Sequence, residues 1–397
     1  MATRIVILGS TGSIGRQTLQ VVEALGERCE VLGLAAGRNI ALLAQQARRF
    51  HPPLLAASLP AQSIAASLDV RALGATIVSP EEMAACREAD LVLVATTGKA
   101  GLAPTLAALR AGKRVALANK EVLVMAGDCL RQEQERFGGT VCPVDSEHSA
   151  IWQCLLGEGG PQSGDTTPDP CGLCRVPPVA KRLILTASGG AFRDCTPEQL
   201  QVVTAEQALC HPTWLMGPKV TIDSATLVNK GLEVIEAHWL FGVPYERIDV
   251  VVHRESVVHS LVEFADGSVK AQLGVPDMRL PIQYALTYPQ RLATGLPTLD
   301  LLRVGTLTFT PADQERFPGL GLAIAAGRRG GTYPAVMAAS DEVAVGLFLA
   351  GRIGFAQIAE MVDRVLQLHQ PVRNPDLLGI LAADEWARRK CLELVRE

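Results

Sequence analysis

The sequence predicts an α/β protein with an N-terminal, Rossmann-like, doubly wound sheet, a central α+β domain and a C-terminal helical domain. Three observations carry this prediction. Short β-branched runs alternate with amphipathic stretches across residues 1–149, a glycine-rich turn at residues 9–15 follows the first run, and helical periodicity dominates residues 313–397. The alternation of strand and helix is typical of a parallel sheet covered by helices on both faces.

Four short apolar runs are expected to form the parallel sheet of residues 1–149. Between them, Thr18–Leu25 and Ile40–Phe50 are expected to be helices, because their apolar residues fall on one face. The four expected strands are Ile5–Leu8, Val31–Leu34, Leu91–Val94 and Val115–Ala118.

A change of composition at residues 157–180 ends this alternation. The segment holds five Gly and five Pro and is expected to be a surface loop. Strand-like runs then resume, and the turn Ala-Asp-Gly-Ser at residues 265–268 predicts a hairpin between the last two. We therefore expect residues 150–285 to form an α+β catalytic domain with an antiparallel or mixed sheet. Its expected strands are Arg182–Thr186, Val250–His253, Val257–Phe264 and Val269–Leu273.

The C-terminal part is expected to be a linker at residues 286–312, marked by three prolines, followed by a helical domain at residues 313–397. Asn374 and Pro375 predict a helix start, with the asparagine as cap and the proline at the first helical position. A single apolar stripe predicts another helix and consists of Ile358, Met361, Val362, Val365 and Leu366.

Composition and charge exclude several classes of protein. Hydrophobic residues make up 48% and charged residues 20% of the chain, as in ordinary globular proteins, and the net charge of −4 gives no basis for binding nucleic acid or an anionic membrane. No apolar run approaches the roughly 18 residues of a spanning helix. Ten scattered cysteines form no disulfide framework and a strand begins almost at Met1, so we expect a cytoplasmic enzyme without a targeting segment.

The segment GSTGSIG at residues 9–15 predicts a dinucleotide site, because glycines let the backbone approach a pyrophosphate and a helix N-terminus offers free N–H groups. The second strand ends in AAGRN at residues 35–39, without the acid that commonly holds the ribose of NAD. Arg38 can bind a 2′-phosphate instead, so NADPH is the expected cofactor. A plain surface role for Arg38 stays open.

Two acids in PVDSEH at residues 143–148 predict a metal site. On an extended chain Asp145 and Glu147 point the same way, and a hard divalent cation, Mg²⁺ or Mn²⁺, is the usual partner of such a pair. A solvated loop pair is the alternative. Glu233, on an expected helix, is a candidate third ligand.

Other polar groups suit an anionic substrate, because they can donate hydrogen bonds to a phosphate. They are Ser188, Ser224, Asn229 and Lys230. The pair Lys120 and Glu121 follows the fourth expected strand and fits a ligand site or a solvated surface equally well.

Seven segments together resemble the 1-deoxy-D-xylulose 5-phosphate reductoisomerase family, the NADPH enzymes of the non-mevalonate isoprenoid route. They run in family order over nearly the whole chain: GSTGSIG at 9–15, ANKE at 118–121, PVDSEH at 143–148, TASGG at 186–190, HPTWLMG at 211–217, DSATLVNKGLE at 223–233 and QLGVPDMRLPIQYAL at 272–286. Three departures stand out. Ala191 replaces the family's usual Pro, HRES at 253–256 replaces a common His-Pro-Gln-Ser, and the 157–180 loop carries a Cys171–Cys174 pair that favours a solvent loop over a zinc site.

The resemblance implies a homodimer that rearranges and reduces 1-deoxy-D-xylulose 5-phosphate, a phosphorylated sugar. It implies that Asp145, Glu147 and Glu233 bind the metal, and that these acids, with Lys120 and His211, are catalytic. The implied cofactor contacts are Thr11, Gly12, Ser13, Ile14, Gly37, Arg38, Asn39, Asn119, Glu121 and Gly217. The implied substrate contacts are Lys120, Ser146, Glu147, Ser188, His211, Ser224, Asn229, Lys230 and Glu233, with the phosphate falling mainly to Ser188, Ser224, Asn229 and Lys230.

Residues 208–217 are expected to form a mobile lid, because Pro212 and Gly217-Pro218 give the segment places to hinge. Trp214 and Met216 can cover apolar substrate and nicotinamide surface, so Trp214 is counted among the substrate-binding residues. A core position for Trp214 is the alternative. Two other functions also stay open: a metal-independent NADP-dependent sugar-phosphate or semialdehyde dehydrogenase, and a nucleotide-sensing protein without catalysis.

Overall fold

Two β-sheets and a C-terminal group of helices organise the chain. The structure is a computed structural model that describes residues 2–58, 73–158, 173, 179–214 and 216–395. The Cys171–Cys174 pair and most of the 157–180 loop lie outside the described residues. None of the helices within these ranges is both long enough and apolar enough to cross a membrane.

The first sheet has seven strands in the order β4-β3-β2-β1-β5-β6-β7, and every neighbouring pair is parallel. All four expected strands are confirmed. The other three were not predicted, because they are only two to four residues long. The strands are β1 Thr3–Leu8, β2 Cys29–Ala36, β3 Leu54–Ala57, β4 Thr76–Ile77, β5 Leu91–Val94, β6 Arg114–Leu117 and β7 Thr140–Pro143.

Helices cover both faces of this sheet, as a doubly wound fold requires. Successive residues of β1 alternate between two apolar cores, with Val6 and Leu8 in one and Ile5 and Ile7 in the other. The strand order reverses beside β1, which makes the β1/β5 edge the switch point where ligands bind in such sheets. The helices are α1 Ser13–Leu25, α2 Ile40–Phe50, α3 Pro80–Ala84, α4 Leu102–Arg110, α5 Lys120–Phe137 and α6 Ser146–Leu155.

The second sheet is mixed, as expected, with five strands in the order β11-β10-β8-β9-β12. Only β8 and β9 are parallel. The predicted hairpin joins β10 and β11, where Gly267 has φ +85° and Asp266 accepts a hydrogen bond from the Ser268 backbone. The segment expected as a linker contributes β12, the edge strand beside β9. The strands are β8 Ala180–Ala187, β9 Ile248–Val252, β10 Val258–Phe264, β11 Val269–Leu273 and β12 Thr310–Pro311.

The remaining helices follow the first sheet in the sequence, and those of the C-terminal part pack mainly on one another. The predicted stripe is confirmed on α15, where Ile358, Val362 and Val365 are buried. The predicted start at Asn374-Pro375 is wrong. Asp376 caps α16 instead, because its carboxylate accepts the Gly379 N–H at 2.8 Å. The helices are α7 Pro197–Leu200, α8 Ala205–Ala208, α9 Pro218–Ala225, α10 Val228–Phe241, α11 Arg279–Thr287, α12 Leu301–Val304, α13 Gly319–Arg329, α14 Tyr333–Leu349, α15 Phe355–Leu368 and α16 Leu377–Leu394.

Candidate functional site

The glycine turn after β1 lies at the switch point and leaves its backbone open to a ligand. Gly9 has φ +87°, and a Cβ there would lie 2.5 Å from the Ala95 carbonyl oxygen at the end of β5. A Cβ on Gly15 would lie 2.2 Å from the Gly9 carbonyl oxygen. No side chain caps α1 at Gly12, so the first N–H groups of the helix face the turn. This geometry fits a dinucleotide pyrophosphate.

The other candidate nucleotide residues line the same carboxyl edge of the sheet. Arg38 is exposed directly after β2, and no acid lies beside it in residues 35–39. The Asn119 side chain donates to the Thr96 hydroxyl at 3.1 Å and to the Gly98 carbonyl at 2.9 Å, which ties the loop after β5 to the start of α5. Around these positions Thr11, Ser13 and Ile14 are half-buried, while Gly12, Gly37, Asn39 and Gly217 are exposed.

Three carboxylates meet where β7 ends. The candidate ligand oxygens of Asp145, Glu147 and Glu233 all lie within 4.8 Å of one another. The expectation of an extended chain at Asp145–Glu147 is wrong: Asp145 caps α6 by accepting the Ser146 N–H at 3.0 Å, and Glu147 lies in the first helical turn. The two acids are therefore close because of the cap, and Glu233 reaches them from α10. An all-oxygen set of this kind fits a hard divalent cation.

Two buried lysines balance these acids, and the five residues are called the acidic cluster below. The Lys120 ammonium lies 2.5 Å from Asp145 Oδ2 and 3.0 Å from Glu233 Oε1. The Lys230 ammonium lies 2.7 Å from Glu147 Oε1 and 2.5 Å from Glu233 Oε2. Burial opposes the charge on Lys120, but the surrounding carboxylates outweigh it and raise its pKa well above the usual value. Burial also favours the neutral form of Asp145, yet Lys120 lowers its pKa to about 2.

The sequence analysis missed a buried pair behind this cluster. His148 Nε2 donates to the Glu233 carbonyl at 2.9 Å, and its Nδ1 lies 3.4 Å from Glu236 Oε2. Burial lowers the pKa of His148 and raises that of Glu236 well above the usual value, so burial favours the neutral form of both groups. The His148 hydrogen bond holds the backbone that carries Glu233. The signals available in sequence were the histidine that ends PVDSEH and an acid one helical turn after Glu233.

A second group of candidate residues surrounds His211. Its Nε2 lies 2.9 Å from the Ser188 hydroxyl and 3.2 Å from the Ser224 hydroxyl. Its Nδ1 accepts the Trp214 N–H at 2.8 Å, so the proton is on Nε2. Burial lowers the pKa of His211 to about 4, and the ring is neutral at pH 7. Gly190 permits the close approach of this turn to α9, since a Cβ there would lie 2.5 Å from the Ser224 carbonyl oxygen.

Not every expected phosphate residue joins this group. Asn229 lies instead in the acidic cluster, where its amide oxygen accepts from Lys120 at 2.8 Å, and Lys230 pairs with Glu147. Ser146 donates to Glu147 Oε2 at 2.6 Å, at the same end. The structure thus groups Ser188 and Ser224 around His211, whereas Ser146, Asn229 and Lys230 contact residues of the acidic cluster.

Trp214 is half-buried beside His211, to which its backbone N–H donates. Its ring centroid is 6.1 Å from that of His259, a buried residue of β10 that the sequence analysis did not select. Burial lowers the pKa of His259 to about 4. The described part of residues 211–217 has no regular structure and ends at Gly217, the N-cap of α9.

Comparisons with known proteins agree on one family. Three family models match the chain. The model described as 1-deoxy-D-xylulose 5-phosphate reductoisomerase matches residues 5–127, and the model of its C-terminal domain matches residues 141–241. The model described as DXP reductoisomerase C-terminal domain matches residues 273–390. The 1-deoxy-D-xylulose 5-phosphate reductoisomerase of Thermomicrobium roseum is 51% identical over 396 residues, covering 100% of this chain and 98% of the relative. That of Moorella thermoacetica is 52% identical over 394 residues, covering 98% and 97%.

Solved structures of the same family superpose on the whole chain. A DOX-P reductoisomerase in complex with NADPH, fosmidomycin and magnesium has a TM-score of 0.91 at 38% identity, covering 99% of this chain and 98% of that one. The Zymomonas mobilis enzyme in complex with NADPH has a TM-score of 0.87 at 38% identity, covering 100% and 99%.

Proposed function

The chain belongs to the 1-deoxy-D-xylulose 5-phosphate reductoisomerase family, and we propose that it converts 1-deoxy-D-xylulose 5-phosphate to 2-C-methyl-D-erythritol 4-phosphate with NADPH and a divalent cation. One observation of the structure carries the proposal: three carboxylates converge within 4.8 Å beside the carboxyl edge of a dinucleotide-binding sheet. When bound, the cation supplies Lewis-acid stabilisation of negative charge on the substrate oxygens, and NADPH supplies the hydride that reduces the rearranged aldehyde.

In this proposal, Asp145, Glu147 and Glu233 hold the cation, Mg²⁺ or Mn²⁺. Lys120 stays protonated in the buried acidic cluster, and its ammonium is oriented to donate a hydrogen bond to a substrate oxygen as negative charge develops there. Lys230 and Asn229 hold Glu233 and Glu147 in place from the opposite side. Ser146 keeps the Glu147 carboxylate directed at the site through its 2.6 Å hydrogen bond.

The substrate phosphate binds between Ser188, Ser224 and His211. Two hydroxyls and the Nε2–H of a neutral imidazole provide three donors for the phosphate oxygens, and the glycines after Ser188 let the backbone approach them. A dianion there raises the pKa of His211 above its value in the free protein, which strengthens the same hydrogen bond. Asn229 and Lys230, which the resemblance also assigns to the phosphate, contact Glu233 and Glu147 in the free protein.

The nucleotide binds over the glycine turn, with Thr11, Gly12, Ser13 and Ile14 at its pyrophosphate. Arg38, with Gly37 and Asn39, recognises the 2′-phosphate, since an exposed guanidinium beside an acid-free strand end can bind it bidentately. Asn119, Glu121 and Gly217 complete the nicotinamide side in this proposal.

Residues 208–217 act as a lid that closes over the bound substrate and excludes water. The support is the irregular backbone and the half-buried Trp214, whose N–H donates to His211. A Trp214→Ala variant should lose less than about 2 kcal/mol of stability but at least ~10-fold in turnover, whereas a core tryptophan would cost roughly 3–5 kcal/mol. Urea melts and steady-state rates on one preparation separate the two.

The assembly is a homodimer in the cytoplasm. Leu301 and Leu302 are exposed beside the edge strand β12, and Phe309 is exposed just before it, so this edge offers an apolar surface to a second copy. All eight cysteines that the structure describes are free thiols, which suits a reducing compartment. Sedimentation velocity should give twice the mass of the chain.

The direct test is NADPH oxidation with 1-deoxy-D-xylulose 5-phosphate, with and without a chelator. We expect turnover that stops when EDTA removes the cation and returns when excess Mg²⁺ or Mn²⁺ is added. The product should be the branched polyol phosphate by mass and NMR. Turnover that is unchanged by the chelator contradicts the proposed role of the acids.

A further inference from the structure

A second buried charge cluster, outside the acidic cluster, surrounds Lys219. Its ammonium lies 2.5 Å from Asp223 Oδ2, 3.1 Å from Asp341 Oδ2 and 3.4 Å from Glu121 Oε1. We call these four residues the Lys219 cluster. Asp223 and Asp341 are 1% and 0% exposed, so water does not share the neutralisation of their charge. One lysine ammonium therefore contacts three acids.

The four members of the Lys219 cluster come from three helices. Glu121 is in the first turn of α5, directly after β6 of the first sheet; Lys219 and Asp223 lie one turn apart on α9; Asp341 lies on α14 of the C-terminal helices. The lysine contacts all three acids. It thus joins the nucleotide-binding region, the base of the lid and the helical domain.

The electrostatics of the Lys219 cluster require the lysine. Burial and the neighbouring Asp341 raise the pKa of Asp223 well above the usual value, and burial also raises the pKa of Asp341. Burial opposes the charge on Lys219, but its three acids outweigh this effect and raise its pKa well above the usual value. The Lys219 ammonium opposes the increase in the pKa of both aspartic acids, because it is the cation that they contact.

The position of the cluster along the chain links two proposed ligand sites. Lys219 follows Gly217, the end of the proposed lid, by two residues. Glu121 follows Lys120, which reaches the acidic cluster, and Asn119, which holds the loop after β5. A movement of α9 toward or away from α5 therefore changes the ion pair between Lys219 and Glu121 and shifts the first turn of α5 at the same time.

We propose that Lys219 is a positioning residue that couples NADPH binding to closure of residues 208–217 over the substrate. It holds the base of the lid against the first turn of α5, so that occupancy of either site favours the arrangement that the other requires. The proposal rests on the proposed function, because it assumes that both ligands bind where that function puts them. Lys219 itself need not contact substrate or cofactor.

The test measures the coupling between two ligands rather than activity. The Kd of NADPH is determined by fluorescence titration, without and with saturating fosmidomycin and Mg²⁺, for wild type, Lys219→Met, Lys219→Arg and Asp341→Asn. The coupling factor is the ratio of the two Kd values. Arg388→Met is the matched control, because it removes a cation that bridges Asp384 and Glu342 on the same helical domain but is not part of the Lys219 cluster.

We expect NADPH to bind wild type at least ~5-fold more tightly when fosmidomycin is present, within the usual range of coupling energies. The ratio should fall to below about 2 in Lys219→Met, recover in part in Lys219→Arg, and keep its wild-type value in Arg388→Met. Asp341→Asn keeps the shape of the side chain and should also lower the ratio. If Lys219→Met does not fold, this variant tests the coupling in its place.

Two results overturn this proposal: a wild-type ratio of one, or a wild-type ratio that persists in folded Lys219→Met or Asp341→Asn. Both are distinct from failure of the proposed function, in which wild type binds neither NADPH nor fosmidomycin and does not oxidise NADPH with the sugar phosphate.

Discussion

The acidic cluster and the Lys219 cluster are built from the same residue types, yet their acids differ in exposure. Lys120 and Glu121 are consecutive on α5, and one enters each cluster. In the acidic cluster the side chains of Asp145 and Glu147 keep 16% exposure, whereas Asp223 and Asp341 in the Lys219 cluster keep 2% and 0%, although Lys219 itself keeps 23%. Solvent therefore reaches two acids of the acidic cluster, while two acids of the Lys219 cluster are fully enclosed between parts of the fold.

The largest expected effect is on stability, when the lysine of either cluster is replaced. Lys219→Met leaves buried carboxylates without a counter-charge and should cost roughly 3–5 kcal/mol of stability. Lys120→Met removes the corresponding cation from the acidic cluster, but there a divalent cation can replace the lost charge. Thermal melts should therefore show that Mn²⁺ restores stability to Lys120→Met and not to Lys219→Met. Equal rescue of both variants would remove the distinction between partly exposed and fully buried acids.

A smaller effect concerns His259, which is buried without an acid of its own. Its pKa is about 4 in the folded protein against an ordinary value near 6.5, so the unfolded chain binds more protons between these values. Stability therefore falls as the pH drops through this window, by about 2 kcal/mol from pH 7 to pH 5 for this one group.

Acids with raised pKa values, such as Glu236 and Asp223, act in the opposite direction over part of the same range. The measurement is thus the difference between wild type and His259→Asn in urea melts at the two pH values, which cancels the other groups. The variant should lose less stability on acidification than wild type; parallel losses would show that His259 is not responsible.

The smallest expected effect lies outside both clusters, at Arg38. Arg38→Ala should weaken NADPH binding about 10-fold, the size of one lost charge-assisted hydrogen bond, and leave NADH binding within about 2-fold. Only NADPH carries the 2′-phosphate. Titration of both nucleotides by intrinsic fluorescence checks this, and an equal loss for the two would assign Arg38 another role.

The contrast between the clusters also explains what the sequence could predict. Local periodicity was sufficient for strands such as Leu91–Val94 and for the stripe on α15, because these patterns lie within one element. The three acids Asp145, Glu147 and Glu233 come together as the motifs suggested, although the reason is a helix cap and not an extended strand. Their role as metal ligands stays a prediction.

The Lys219 cluster could not be found in this way. Its lysine and Glu121 are 98 positions apart, and each has an ordinary surface interpretation when read alone. His148 and Glu236 were missed for the same reason, since their contact depends on how α6 packs beside α10. A local pattern does not indicate which distant side chains share a buried volume, because that is decided by the order of the strands and the packing of the helices.

The central claim is that the acidic cluster exchanges its lysine contacts for a divalent cation. Glu233→Gln tests it most directly, because the amide keeps the shape of the side chain. It removes the negative charge that both lysines contact. Mn²⁺ binding is measured by electron paramagnetic resonance, with Asp341→Asn as the matched loss of a buried acid from the Lys219 cluster. We predict that Glu233→Gln weakens Mn²⁺ binding and turnover by roughly 100-fold or more, while Asp341→Asn binds Mn²⁺ like wild type. Unchanged Mn²⁺ affinity in a folded Glu233→Gln protein would contradict the account.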